Sequence, residues 1–230
     1  MIRRSELPVQ VNGDAQVTAL VYGAAEPRLG AALILAHGAG AGQHSTFMAS
    51  FATAFAELGV DAITFNFLYT EQRRRIPDRR PVLEACYAAV IQAVKFELGS
   101  TTPLFIGGKS MGGRIATHVA AAALADGPRG IVLLGYPLHP PGRPQERRDA
   151  HLPDVRCPLL FVQGSRDTFG TPAELEPVFA SLRAPATLHV VDGGDHSFKV
   201  RSAGQRQAQV FLDMQRAVVK WMRGIIVEGA

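Results

Sequence analysis

The chain has 230 residues, 47% of them hydrophobic, and a formal net charge of +4. That length suits one domain with a full core, read here as spanning residues 1–230. The positive balance comes from local arginine groups (Arg73, Arg74 and Arg75; Arg79 and Arg80; Arg147 and Arg148) with no aromatic residues alternating among them, which argues against a nucleic-acid partner.

The first stretch, MIRRSELPVQVNGD, carries basic residues with no apolar run behind them, unlike a secretory signal. The most apolar later run, IATHVAAAALA, is broken by His118 and is too short to span a bilayer. A soluble, cytoplasmic protein with no membrane partner is expected. From residue 17 onward a rhythm sets in. Most of the short apolar runs (VTALVYG, AALILAHG, DAITFNF, TPLFIGG, GIVLLGYP, CPLLFVQG and ATLHVVDGG) lack polar alternation, as strands covered on both faces do. Helical patterns fall between them: TFMASFATAFAELG, PVLEACYAAVIQAVKFEL, MGGRIATHVAAAALA and PAELEPVFASL, with GQRQAQVFLDMQRAVVKWMRGI last. Strands alternating with helices predict an α/β fold, a mostly parallel sheet with helices on both faces. Cys86 falls in a helical pattern and Cys157 opens an apolar run. Without paired spacing, both read as buried small hydrophobes rather than a disulfide or zinc site.

Several strands end in glycine turns that carry polar residues: HGAGAG, GGKS, GYPLH, GSRD and GGDH. In open parallel sheets ligands bind beyond the carboxyl ends of strands. The first turn imitates the dinucleotide pattern Gly-x-Gly-x-x-Gly, but its third glycine falls on Gln43. An oxyanion loop suits it better, with the amide of Ala39 as one donor, Gly40 as the near alternative, and His37 holding the loop.

The stretch GGKSMGGR fits two unrelated motifs. A phosphate-binding loop needs a glycine five residues before Gly108, where Pro103 stands, and Leu104–Ile106 reads as strand rather than loop. Gly-x-Ser-x-Gly needs strand, sharp turn and helix. TPLFIGG, the turn around Ser110 and the helical pattern from Met111 supply them. Ser110 is thus the candidate nucleophile and the amide of Met111 the second oxyanion donor.

A serine nucleophile needs a base and an orienting acid, in chain order Ser, acid, His. His118 lies mid-helix, His189 mid-strand, and His139 and His151 in the Pro/Arg-rich loop. His196 follows the last apolar strand and is the candidate base. Asp167, after the preceding strand, is the candidate acid. Asp192 competes with it, while Asp195 adjoins the histidine too closely to orient its ring.

With these residues in place the chain resembles the α/β-hydrolases along nearly its whole length. More closely, HGAGAG, FNFLYTEQRRRIPDR, GGKSMGGR, GSRDTFG and GGDHSF are similar to small, lidless, dienelactone-hydrolase-like members, including a testis-expressed subgroup. Dienelactone hydrolases proper carry cysteine where Ser110 stands. The short gap from GYPLH to CPLLF leaves no room for a helical cap. The resemblance and the residues together imply a serine hydrolase acting on a small-molecule ester or thioester, with no cofactor and no metal. A binding module or assembly subunit built on the same fold is the alternative. The arginines after DAITFNF, together with Arg143, Arg147 and Arg148 after GIVLLGYP, leave the sheet at the edge that carries Ser110, so some should border the cleft and favour anionic acyl groups.

Overall fold

The computed structural model describes residues 2–99, 101–122, 127–201 and 204–228. Its strands are β1 (Arg4–Asn12), β2 (Ala15–Tyr22), β3 (Ala32–Ala36), β4 (Asp61–Phe65), β5 (Leu104–Lys109), β6 (Gly130–Leu134), β7 (Leu159–Gly164) and β8 (Ala186–Val191). The helices are α1 (Thr46–Glu57), α2 (Leu68–Glu71), α3 (Arg80–Leu98), α4 (Met111–Ala122), α5 (Pro172–Phe179) and α6 (Gly204–Glu228). The helical pattern expected to run to residue 125 passes beyond Ala122 into residues outside the described ones.

One eight-stranded sheet has the order β1-β2-β4-β3-β5-β6-β7-β8. β1 and β2 pair antiparallel, as do β2 and β4; every other pair is parallel. All residues of β3, β4, β6 and β7 are buried, because helices cover both faces of the centre. Alternation sorts their side chains. Leu33 and Leu35 pack with Phe51 and Phe55 of α1 and Met214 and Val218 of α6. Ile34 and Ala36 face Tyr87 and Val90 of α3 and Ile115 of α4. Fully burying a side chain of this size is worth about 1.5–3 kcal/mol, so the two layers fix the strand register.

The strand β1 was not expected. Its sequence interleaves polar residues and carries Pro8, a pattern that only an edge strand tolerates. It folds back on β2 through Gly13, which has φ 45, and its Val9 is buried in the core. Between β6 and β7 the chain forms only a 3-10 turn, Leu152–Asp154, so no helical cap covers the sheet edge. Cys86 is buried, but Cys157 is only partly so, because it precedes β7 instead of lying within it. Burial pushes their thiols up, to about 12 and about 11, which suits inert side chains. No helix among the described residues is long and apolar enough to cross a membrane.

Candidate active site

The centre of the sheet's carboxyl edge is built around β5 and the start of α4. Ser110 lies between them with φ 51, a left-handed backbone that non-glycine residues seldom adopt. Neighbouring glycines make the turn possible. A Cβ on Gly107 would meet the Val132 carbonyl oxygen at 2.0 Å, and one on Gly112 would meet that of Ala36 at 2.3 Å. The turn is therefore wedged between β3 and β6. The Ser110 N–H donates to Leu134 O at 3.0 Å, which fixes the turn to β6.

Two loops from the strands beyond β6 close on this serine. Ser110 Oγ lies 2.8 Å from His196 Nε2, and His196 Nδ1 lies 2.8 and 3.0 Å from the two Asp167 oxygens. Asp167 is fully buried. As an ionised carboxylate only accepts, His196 carries its proton on Nδ1 and accepts from the serine hydroxyl through Nε2. The loops meet because Gly164 has no side chain: a Cβ there would strike the Gly194 oxygen at 2.4 Å. Arg166 N–H donates to that same carbonyl at 2.9 Å. The Phe169 ring stacks on His196 at 4.1 Å and limits the imidazole's tilt.

The competing acids are occupied elsewhere. Asp192 accepts from Ser165 Oγ at 3.5 Å and is exposed. Asp195 Oδ1 accepts from the amides of Ser197 and Lys199 at 2.8 and 2.9 Å, shaping the turn that holds His196. Met111 is the first residue of α4, so its amide has no carbonyl within the helix to reach. Ala39 sits in an exposed turn beside it; a Cβ on the preceding Gly38 would lie 3.6 Å from Ser110 Cβ. His37 is buried beneath this loop. It donates from Nδ1 to Gly38 O at 2.8 Å and accepts from Phe67 N–H at 3.2 Å. Burial lowers its pKa, in keeping with a neutral ring that braces the loop. Tyr69, whose ring meets that of His37 edge-on at 5.9 Å, donates from Oη to Ala39 O at 3.1 Å and holds the loop as well.

A family model described as an alpha/beta hydrolase domain matches residues 30–223. The chain belongs to this family. Solved structures agree on its fold. An alpha-beta serine hydrolase homologue from Coxiella burnetii is 17% identical with a TM-score of 0.74, the match covering 94% of this chain and 96% of that one. An a/b serine hydrolase without lid from Xanthomonas campestris is 20% identical with a TM-score of 0.72, covering 95% of both chains. A dienelactone hydrolase from Anabaena variabilis is 18% identical with a TM-score of 0.71, covering 92% and 96%. The α/β-hydrolase resemblance read from the motifs, with a lidless and dienelactone-hydrolase-like architecture, agrees with all three.

The α/β-hydrolase chain carries supports that the motif reading missed. Gln163, fully buried in β7, donates from Nε2 to Asp167 Oδ2 at 2.8 Å and to Gly170 O at 2.7 Å, while its Oε1 accepts from Tyr136 N–H at 2.9 Å. Its signal was present as the one amide in the apolar run LLFVQG. Phe169 N–H gives Asp167 a further bond at 2.8 Å. Lys109, the residue before the serine, donates from Nζ to the carbonyl of His196 at 2.5 Å and lies over the Phe198 ring. Burial lowers its pKa to about 8, against the pull of Asp167 and Asp195.

A cavity of about 870 Å³ opens at Ser110. From α1 and α6 its lining takes Phe47, Met48 and Phe211, with the polar Ser50 and Gln207; from α3, α4 and the loop after β6 it takes Arg80, Arg114 and Arg148. Of the arginines expected near the cleft, Arg80 and Arg148 line it, joined by Arg114. Arg74, Arg143 and Arg147 are ion-paired to Asp78, Glu146 and Asp149, and Arg73, Arg75 and Arg79 are exposed and do not line the cavity. Among the described residues, no group of three or more His, Cys, Asp or Glu side chains is placed to hold a metal ion.

Proposed function

We propose that the protein is a serine hydrolase that cleaves a carboxylic ester or thioester through an acyl-enzyme on Ser110. The observation that carries this reading is the unbroken contact series from Ser110 Oγ to His196 Nε2 at 2.8 Å and from His196 Nδ1 to Asp167 at 2.8 Å. In this reading Ser110 Oγ attacks the substrate carbonyl while His196 Nε2 takes its proton. Asp167 keeps the proton-bearing Nδ1 in place and stabilises the imidazolium that forms. The negative charge moves to the former carbonyl oxygen. The amides of Ala39 and Met111 receive it, each such donor being worth about 2.7–4 kcal/mol in a comparable site. The C–O or C–S bond then breaks, and His196 returns its proton to the departing alcohol or thiol. Water, deprotonated by the same histidine, attacks the acyl group and frees Ser110.

The turn supports the reading as well. It holds Ser110 above the sheet at the amino end of α4, where the helix dipole favours developing negative charge. The test is labelling by a fluorophosphonate. The wild-type protein should be modified at Ser110 and should hydrolyse p-nitrophenyl octanoate, and Ser110→Ala should do neither while keeping its fold. A protein left unlabelled and inactive over panels of esters and thioesters would instead be a binding module on a hydrolase fold.

A further inference from the structure

The cationic end of the cavity calls for an explanation the proposed mechanism does not provide. Arg114 stands one helical turn after Ser110 on α4, and its amide donates to the Ser110 carbonyl at 3.1 Å. Its guanidinium makes no hydrogen bond to any described protein group, and its Nε is buried without a partner. A buried unmade bond on a charged group is costly. Arg148 enters from the loop after β6. Its backbone is fixed at both ends: its N–H donates to Leu138 O at 2.9 Å, and its carbonyl accepts from Tyr136 Oη at 2.6 Å. No carboxylate among the described residues pairs with its side chain. Arg80, at the start of α3, borders the same space and shares Glu84 at 3.2 Å. Asp78 also borders it: its Oδ1 is taken by Arg74 at 2.7 Å, and its Oδ2 is buried without a partner, so this one carboxylate and Glu84 face Arg74, Arg80, Arg114 and Arg148. Burial, with the repulsion of Arg148 and Arg80, depresses the Arg114 pKa. Like charges have thus been brought together with too little acid to balance them.

Layering sets the direction. The arginines lie on the face covered by α3 and α4, and Phe47, Met48 and Phe211 on the face covered by α1 and α6. Ser110 sits at the sheet edge between the two. Resting on the hydrolase reading above, we propose that Arg114 and Arg148, with Arg80 at the rim, form an anion subsite, so that the preferred ester or thioester carries a carboxylate or phosphate on one side of its scissile carbonyl and an apolar group on the other. A planar guanidinium pair suits either anion through paired charge-assisted hydrogen bonds.

The test separates binding from turnover. In the Ser110→Ala protein, calorimetry compares octanamide with two uncleaved analogues, suberic acid monoamide and an octanamide bearing a terminal phosphate. At least one anion should bind about ten- to a hundredfold more tightly than octanamide, and the tighter of the two identifies the group the subsite takes. Arg114→Gln and, separately, Arg148→Gln should each remove most of that preference, whereas Arg147→Gln, ion-paired outside the cavity, should preserve it. In the otherwise native protein, the ratio of kcat/KM for mono-p-nitrophenyl suberate to that for p-nitrophenyl octanoate should fall by a similar factor in both variants. Equal affinity for amide and anions, or a preference untouched by both arginine changes, overturns the subsite. Absence of turnover with every ester would instead remove the hydrolase reading, while the calorimetry still decides whether the arginines hold an anion.

Discussion

Replacing Gln163 by leucine probes how the acid is held. The side chain is fully buried and bonds to Asp167, Gly170 and Tyr136. Leucine is close in volume, so little packing is lost and the polar bonds carry the effect. The bond to the Asp167 carboxylate is charge-assisted, about 1.5–3 kcal/mol, and the neutral bonds are about 1 kcal/mol each. The Tyr136 N–H and Gly170 carbonyl are left without this partner, which raises the cost further. A total of about 3–6 kcal/mol follows, a large part of the ~5–15 kcal/mol that holds a typical domain together. Asp167 keeps its bond from Phe169 N–H, so some orientation survives and kcat/KM should fall roughly ten- to a hundredfold rather than vanish. Urea unfolding followed by far-ultraviolet circular dichroism measures the first quantity, and ester hydrolysis the second. Gln163→Glu separates the effects: it preserves shape but sets a second carboxyl against Asp167, so activity should decline as pH rises and the new group ionises. A Gln163→Leu protein within 1 kcal/mol of wild type, with unchanged kcat/KM, would refute the claim that this amide positions the acid.

Asp167→Asn should lower kcat by as much as ~10⁴, because the amide can hold the His196 ring in the wrong tautomer, whereas Asp192→Asn, altering an exposed side chain whose contact is with Ser165, should change it little. Steady-state kinetics on both variants checks this, and the reverse ranking would move the acid to the last strand. Stability should also fall on acidification. His118 and His151 stack at 3.5 Å, and burial, with neighbouring positive charge, lowers their pKa values to about 3 and about 4. Below the ordinary histidine value of 6.5 the unfolded chain binds protons that the folded chain refuses, so stability is full above that pH and declines as pH falls toward 4 and below. Urea midpoints from pH 7 to pH 4 should show this decline, shallower in His118→Phe; identical curves would remove the pair as its source.

The motifs made Ser110, Asp167 and His196 candidates because their requirements are local. The left-handed backbone at Ser110 and the contacts refused to side chains at Gly107 and Gly112 are written into GGKSMGG, since a larger residue has nowhere to go. Unbroken apolar runs such as AALILA and GIVLL likewise announce strands covered on both faces, because a half-exposed strand alternates, whereas ATLHVV lies at the sheet edge as β8 and stays mostly unburied. The sequence was weaker where only one face is packed, as in β1, whose Pro8 and polar residues hide its edge pairing.

What the sequence by itself determined is the kind of fold and the short list of groups able to do chemistry. The choice among those groups belongs to tertiary structure. Asp167 and Asp192 both follow strands; only the packing of Gly164 against Gly194 places the first, and not the second, against a histidine that lies 86 residues from the serine it touches. Arg114 was visible in GGKSMGGR, yet nothing local says that it shares a cavity with Arg80 and Arg148, which come from other segments of the chain. Gln163 likewise reads as an interruption in an apolar strand until the turn after β7 brings Asp167 and Gly170 around it. Backbone sterics and burial period act between near neighbours and can be read along the chain. Distances between loops are set by the order and register of the strands beneath them, which emerge only when the whole sheet is assembled.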